Sequence, residues 1–124
     1  MFRAPPLLLI VLAACASSPS PGREGREAGP LPEGRLEGGL TRALALASRA
    51  DRNVLVEYYS PSCTFCRRME QDVFASEEVR AALREVVHVR MTKGKNATPF
   101  EMRWRNAGTP TFVVLRSDGR QLGP

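Results

Sequence analysis

From residue 36 onward the chain switches repeatedly between two hydrophobic periods. Leu36, Leu40, Ala43, Leu44 and Ala47 recur at three- and four-residue spacing, which predicts an amphipathic helix over 36–50. Asn53–Tyr59 (NVLVEYY) is rich in β-branched and aromatic residues and reads as a buried strand. Ser60-Pro61-Ser62 is a turn, and 63–74 reads as a helix with Phe65, Met69 and Val73 on one side. Ser76 looks like an N-cap, followed by Glu77 and Glu78 in a first turn. Residues 86–91 (VVHVRM) form a second strand. Thr98-Pro99-Phe100-Glu101 has the form of a capping box with proline at the first helical position, opening a helix to about 106. Residues 111–116 (TFVVLR) form a third strand, and Asp118-Gly119 is a turn into a fourth, antiparallel one. Strand–helix alternation of this kind argues for an α/β sheet covered on both faces.

The first 32 residues follow neither period. Arg3, then the apolar run Leu7-Leu8-Leu9-Ile10-Val11-Leu12, reads as a targeting segment over 1–14. The run is far shorter than the roughly 18 apolar residues of a membrane-spanning helix. It ends in Leu12-Ala13-Ala14-Cys15, which resembles the lipobox of bacterial lipoproteins. That resemblance implies cleavage before Cys15, a diacylglyceryl thioether on its sulfur and acylation (palmitate, for example) of the new amino terminus. Two or three acyl chains anchor stably, whereas one binds only marginally. Residues 15–32, rich in Pro, Gly, Ser and charge, read as a lipid-anchored flexible tether with a mean reach of about 20–25 Å. The expected location is the bacterial cell envelope, with the 33–124 domain outside the cytoplasm.

Composition narrows the class. A length of 124 residues is a prior for one domain. There is no glycine period, and three cysteines are too few to staple a small domain. Lys and Arg number 18 against 13 Asp and Glu, a formal charge of +5. A nucleic-acid binder needs a basic patch interleaved with aromatics. Arg103-Trp104-Arg105 is the only hint of one, so no nucleic-acid partner is expected.

One constellation carries chemistry: Cys63-Thr64-Phe65-Cys66, placed after a predicted strand and opening a predicted helix. There the first cysteine meets free N–H groups and the helix dipole, which favour thiolate, the attacking form in disulfide exchange. The second lies one turn in and can attack the mixed disulfide. Arg67 and Arg68 add positive charge nearby. A purely structural bridge would close too short a loop for much entropic gain. A zinc site would need more soft ligands, and His88 is the only histidine. A haem site would need His at 67, where Arg stands. No metal and no cofactor is therefore expected. A different class stays open: a non-catalytic binding module, or a Cu(I) chaperone using the two thiolates.

Two further residues fit. Gly108-Thr109-Pro110-Thr111 places Pro110 just before a strand; a cis X-Pro bond there would make a tight bend beside the cysteines, whereas a trans proline would be an ordinary turn. Glu57, between apolar Val56 and Tyr58, is expected to be buried, although strand alternation alone would allow it to face solvent. Its pKa would then be raised, and it could relay protons to Cys66. His88 is expected to be a surface or hydrogen-bonded histidine, and Trp104 with Phe100 to pack in the core or a groove.

The run NVLVEYYSPSCTFC, the following helix, and GTPTFVVL with DG resemble the thioredoxin-fold family. Within it, VLVEYYSPSCTFCRRMEQDVFASEEVRAAL is similar to the C-terminal periplasmic domain of DsbD-type thiol:disulfide interchange proteins. The resemblance implies a thioredoxin-like three-layer fold, a central mixed sheet with helices on both faces, here expected to lack the final strand and helix. It implies a thiol-disulfide oxidoreductase acting on protein thiols and disulfides with a membrane electron-transfer partner. It implies Cys63 as nucleophile, Cys66 as resolving cysteine, Pro110 with Thr109 lining the substrate groove, and Glu57 at the buried-acid position. Ser62 stands where thioredoxins carry Trp, and the Thr-Phe pair between the cysteines differs from their Gly-Pro.

Overall fold

The computed structural model describes residue 31 and residues 33–123. The expected leader, Cys15 and most of the expected tether lie outside the described residues. The element order is β1 (Leu36–Glu37), α1 (Leu40–Ala50), β2 (Asn53–Tyr59), α2 (Thr64–Arg68), α3 (Glu77–Leu83), β3 (Val86–Thr92), α4 (Thr98–Arg103), β4 (Thr111–Leu115) and β5 (Gln121–Leu122). A π-helical segment, Met69–Val73, continues α2. The strands form one sheet in the order β1-β3-β2-β4-β5. β1, β3 and β2 run parallel, while β4 and β5 run antiparallel to their neighbours. Among the described residues no helix is long and apolar enough to cross a membrane.

The strands' period of two divides the sheet's faces by chemistry. Val54, Val56 and Tyr58 of β2, Val87, Val89 and Met91 of β3, and Val113 and Leu115 of β4 turn one way. There they bury with Leu40, Ala43 and Ala47 of α1, with Phe100 of α4 and with Ala97 at the N-cap of α4. Tyr58 and Phe100 stack with ring centroids 4.6 Å apart, and Trp104 follows at 4.7 Å from Phe100. The opposite face carries the alternate set, including Glu57, His88, Arg90, Phe112 and Val114. Phe74, just past the π-helical segment, covers part of it, lying 5.4 Å from His88 and 6.0 Å edge-on to Phe112. Over β4 that face is more open: Phe112 and Val114 are partly exposed.

The expected strands at 53–59, 86–91 and 111–116 are present, each within one residue at its ends, and β5 follows the Asp118-Gly119 turn. Arg116 N–H donates to Arg120 O at 2.8 Å, and Gly119 takes φ +84°, which glycine adopts without strain. Ser76 caps α3 as expected, accepting from Val79 N–H at 3.3 Å.

Two helix boundaries differ from the sequence reading. The first helix begins at Leu40, not Leu36, because Leu36 pairs with Val89 in β1 and Gly38 and Gly39 both sit at positive φ. Gly38 donates to Arg90 O at 2.7 Å, and a Cβ there would lie 2.5 Å from the Asn96 side-chain nitrogen. The turn therefore excludes side chains, and Leu36 fell at helical spacing without being helical. The Thr98–Glu101 capping box also does not form: Ala97 takes the N-cap position with no side-chain bond. Glu101 is drawn inward instead, accepting from the Tyr58 hydroxyl at 2.6 Å. That helix stops at Arg103, and Asn106 has φ +67°.

Candidate active site

The parallel strands β2 and β3 end together, Tyr59 opposite Thr92. From Tyr59 the chain turns through Ser60, Pro61 and Ser62, with Cys63 N–H donating to Ser60 O at 3.1 Å. Cys63 then occupies the N-cap of α2 in extended conformation, and its Sγ accepts from Cys66 N–H at 3.1 Å. Ordinary caps are Ser, Thr, Asp and Asn, whose oxygen satisfies a free N–H of the first turn; here sulfur does so. Cys63 and Cys66 form a disulfide with Cα atoms 5.2 Å apart. Cys63 is half-buried, whereas Cys66 is 1% exposed. Solvent thus reaches Cys63 in part and Cys66 almost not at all.

Arg67 folds back onto this turn. Its guanidinium donates to Pro61 O at 3.1 Å and to Thr64 Oγ1 at 3.4 Å, bracketing Cys63 in sequence. Charge so placed favours an anionic sulfur over a neutral one. Phe65, between the two cysteines, is 67% exposed.

Pro110 reaches the same end of the sheet by register. β4 runs antiparallel to β2 with Thr111 opposite Tyr58, so Pro110 adjoins the end of β2 that leads to Cys63. The Thr109-Pro110 bond is cis, and Thr109 and Pro110 are both half-buried. Thr111 Oγ1 donates to Gly108 O at 2.6 Å, closing the approach to β4.

Glu57 is buried, at 1% exposure, as expected. Its ionisation is opposite to expectation. Burial alone would push the carboxyl up; hydrogen bonds from His88 and Arg90, with the charges of Arg90 and Arg35, outweigh it and hold the pKa below the ordinary value. Arg90 stands directly across in β3 and donates to Oε1 at 2.9 Å. His88 Nε2 is 3.1 Å from Oε2, and Arg35 donates to Oε2 at 3.5 Å. Glu70, from the π-helical segment, closes the cluster by pairing with Arg35 at 2.7 Å and with Arg90. The Arg90 guanidinium also lies 4.0 Å from the Tyr59 ring centroid. His88 is thus a buried, hydrogen-bonded histidine and not a surface one.

Sequence reasoning missed Arg35, Arg90 and Glu70. Arg90 left a signal: with His88 it alternates with Val87 and Val89, which face the core, so both belong to Glu57's face. Arg35 and Glu70 left none, since each reaches Glu57 across elements distant in sequence. Among the described residues no group of three or more His, Cys, Asp or Glu side chains is placed to hold a metal ion.

Comparison with known proteins agrees with this geometry. The chain is 35% identical over 85 residues to thiol:disulfide interchange protein DsbD 2 of Pseudomonas aeruginosa, covering 66% of this chain and 14% of that one. It is 32% identical over 83 residues to thiol:disulfide interchange protein DsbD of a Pseudomonas species, covering 64% and 14%. The chain therefore spans about a seventh of the length of these relatives. A thioredoxin from Thermus thermophilus superimposes with TM-score 0.57 at 30% identity, over 64% of this chain and 63% of that one. A disulphide isomerase from Xylella fastidiosa superimposes with TM-score 0.58 at 21% identity, over 68% of each; at that identity the likeness speaks for the fold alone. The Thioredoxin-like domain family matches residues 40–123, and the chain belongs to that family.

Proposed function

We propose that this chain is a thiol-disulfide oxidoreductase, held to a membrane by lipid on Cys15, with its folded domain outside the cytoplasm. The observation that carries the catalytic part is the asymmetry of the cysteine pair: Cys63 half-buried at the start of a helix, Cys66 sealed behind it. Family membership and the likeness to the two thiol:disulfide interchange proteins support the same reading. The anchor rests on the sequence Leu12-Ala13-Ala14-Cys15 alone.

In the reducing direction the Cys63 thiolate attacks one sulfur of a substrate disulfide. The substrate S–S bond breaks, a Cys63–substrate disulfide forms, and the departing sulfur takes a proton. Deprotonated Cys66 then attacks Cys63 Sγ, releasing the second substrate sulfur as a thiol. The substrate gains two electrons and two protons, and the protein keeps the Cys63–Cys66 disulfide. The backbone N–H of Cys66, already aimed at Cys63 Sγ, stabilises that sulfur when it is anionic. Thr109 and Pro110 line the groove in which a substrate backbone lies. A dithiol partner, membrane-borne if the domain is outside the cytoplasm, restores the reduced pair. The reverse sequence oxidises a dithiol. Glu57, held ionised by three cationic or hydrogen-bonding neighbours, is part of the scaffold below this machinery.

The test is reduction of insulin by dithiothreitol with catalytic amounts of protein. Wild type accelerates the reaction and Cys63→Ser does not; equal rates reject the proposal. Cys66→Ser accumulates a mixed disulfide that a reducing gel dissolves. The potential of the pair gives direction: near −270 mV, about thioredoxin's, the protein is a reductant, and near −120 mV, about DsbA's, an oxidant. Metabolic labelling with palmitate, lost in Cys15→Ser, tests the anchor.

A further inference from the structure

The reactive end of the sheet has only one sign of charge in its loops. Three segments meet there: 60–69, which carries the cysteines; 92–99, tied to β2 by Lys93 N–H on Tyr59 O at 2.8 Å; and 106–111, which carries Pro110. Together they contain Arg67, Arg68, Lys93 and Lys95 and no Asp or Glu. All four cations are exposed. The turn bearing the lysines is ordered, with Lys95 N–H on Thr92 O at 3.0 Å and Asn96 Oδ1 accepting from Thr92 N–H at 2.6 Å. Of the carboxylates just beyond these segments in the chain, Glu70 pairs with Arg35 and Arg90 and Glu101 accepts from Tyr58, while Asp72 is exposed one turn beyond Arg68. Among the described residues Arg68, Lys93 and Lys95 form no salt bridge. Phe65 stands exposed within this basic rim.

We infer that the protein partner of Cys63 presents its cysteines on an acidic segment with an apolar side chain that packs on Phe65. This rests on the disulfide-exchange reading and adds to it the chemistry of the partner. Unpaired cations on one rim raise the local concentration of an anionic partner and steer its approach, an effect that salt screens. A large exposed aromatic ring inside such a rim is the ordinary anchor of a protein contact. An anionic lipid surface would also meet the cations. The protein partner is favoured because the charges and Phe65 surround the one sulfur that a partner chain must reach.

The experiment uses the reduced full chain and three synthetic peptides of equal length, each closed by one disulfide flanked by Glu, by Lys or by uncharged residues. Initial rates are read at about 20 mM and about 300 mM salt, on either side of the ionic strength where the Debye length is ~8 Å. The expected result is a Glu-flanked peptide reduced roughly tenfold faster than the Lys-flanked one at low salt, with the ratio shrinking toward one at high salt. Lys93→Glu/Lys95→Glu leaves two arginines against two glutamates on the rim, and the preference between the two charged peptides is lost. Because this is a ratio within one protein sample, partial misfolding does not produce it. Equal rates for all three peptides at low salt, or a preference that salt leaves unchanged, overturn the inference while exchange stands. Failure to reduce even the uncharged peptide overturns the exchange reading as well. Equal peptide rates, together with a Lys93- and Lys95-dependent preference for phosphatidylglycerol over phosphatidylcholine vesicles, assign the rim to lipid and overturn the protein partner.

Discussion

Replacing Glu57 with Gln removes the anion from the buried cluster while keeping the side chain's size. Glu57 is 1% exposed and is held by Arg90 at 2.9 Å, His88 at 3.1 Å and Arg35 at 3.5 Å. Removing one partner of a buried ion pair costs about 3–5 kcal/mol, because the other charge is stranded out of water. Here Arg90 keeps Glu70, so the loss falls below that range, to about 2–3 kcal/mol. Arg90→Met is the harsher change. It leaves a fully buried carboxylate with only His88 and the longer Arg35 contact, and the full ~3–5 kcal/mol is expected. The pair is coupled, so the double variant costs less than the sum of the single ones.

The pH dependence gives the sign. The folded-state pKa of Glu57 lies below its ordinary value, so the stabilisation exists above the unfolded pKa and is lost as pH falls through the folded one. Glu57→Gln has no such contribution to lose. The stability gap between wild type and Glu57→Gln is therefore widest at neutral pH and narrows in acid. Urea unfolding of the oxidised protein, followed by circular dichroism at neutral pH and near pH 4, measures both. With a slope of about 1–1.5 kcal/mol per molar urea, the neutral-pH loss moves the midpoint down by roughly 2 M. A Glu57→Gln midpoint matching wild type at neutral pH, or a gap that widens in acid, would refute the reasoning.

Other outcomes follow from the core on the opposite face. Phe100 is fully buried, stacked on Tyr58 and packed against the tilted ring of Trp104, so Phe100→Ala should cost about 3–5 kcal/mol and lower the thermal midpoint by more than ~10 °C; a change of a few degrees would contradict the packing. Burial, with the hydrogen bond to Glu101 and its charge, pushes the Tyr58 hydroxyl up to about 12. Absorbance titration should show a tyrosine step at that pH which Tyr58→Phe deletes, and deletion of a step near the ordinary value of 10 would be inconsistent with the buried bond.

Much of the fold was legible in local pattern. Asn53–Tyr59 could only be a buried strand, Ser76 a cap, and Asp118-Gly119 a turn, because each depends on residues within a few positions of itself. The cysteine pair was legible for the same reason: its chemistry needs a strand, a turn and a helix start in immediate succession, and 53–68 supplies them in order. The boundaries that failed were decided by distant neighbours. Leu36 became a strand because Val89 lies beside it, and Glu101 abandoned its cap because the Tyr58 hydroxyl was within reach.

The sequence by itself determined which residues carry sulfur, charge and apolar surface, and its apolar neighbours pointed Glu57 inward. Only the tertiary structure decided its ionisation. An isolated carboxyl in an apolar strand is pushed toward its neutral form, and burial here acts in that direction. Register places Arg90 opposite Glu57, and the sheet edge and the π-helical segment bring in Arg35 and Glu70. Electrostatic energy depends on separation in space, which separation along the chain does not reveal.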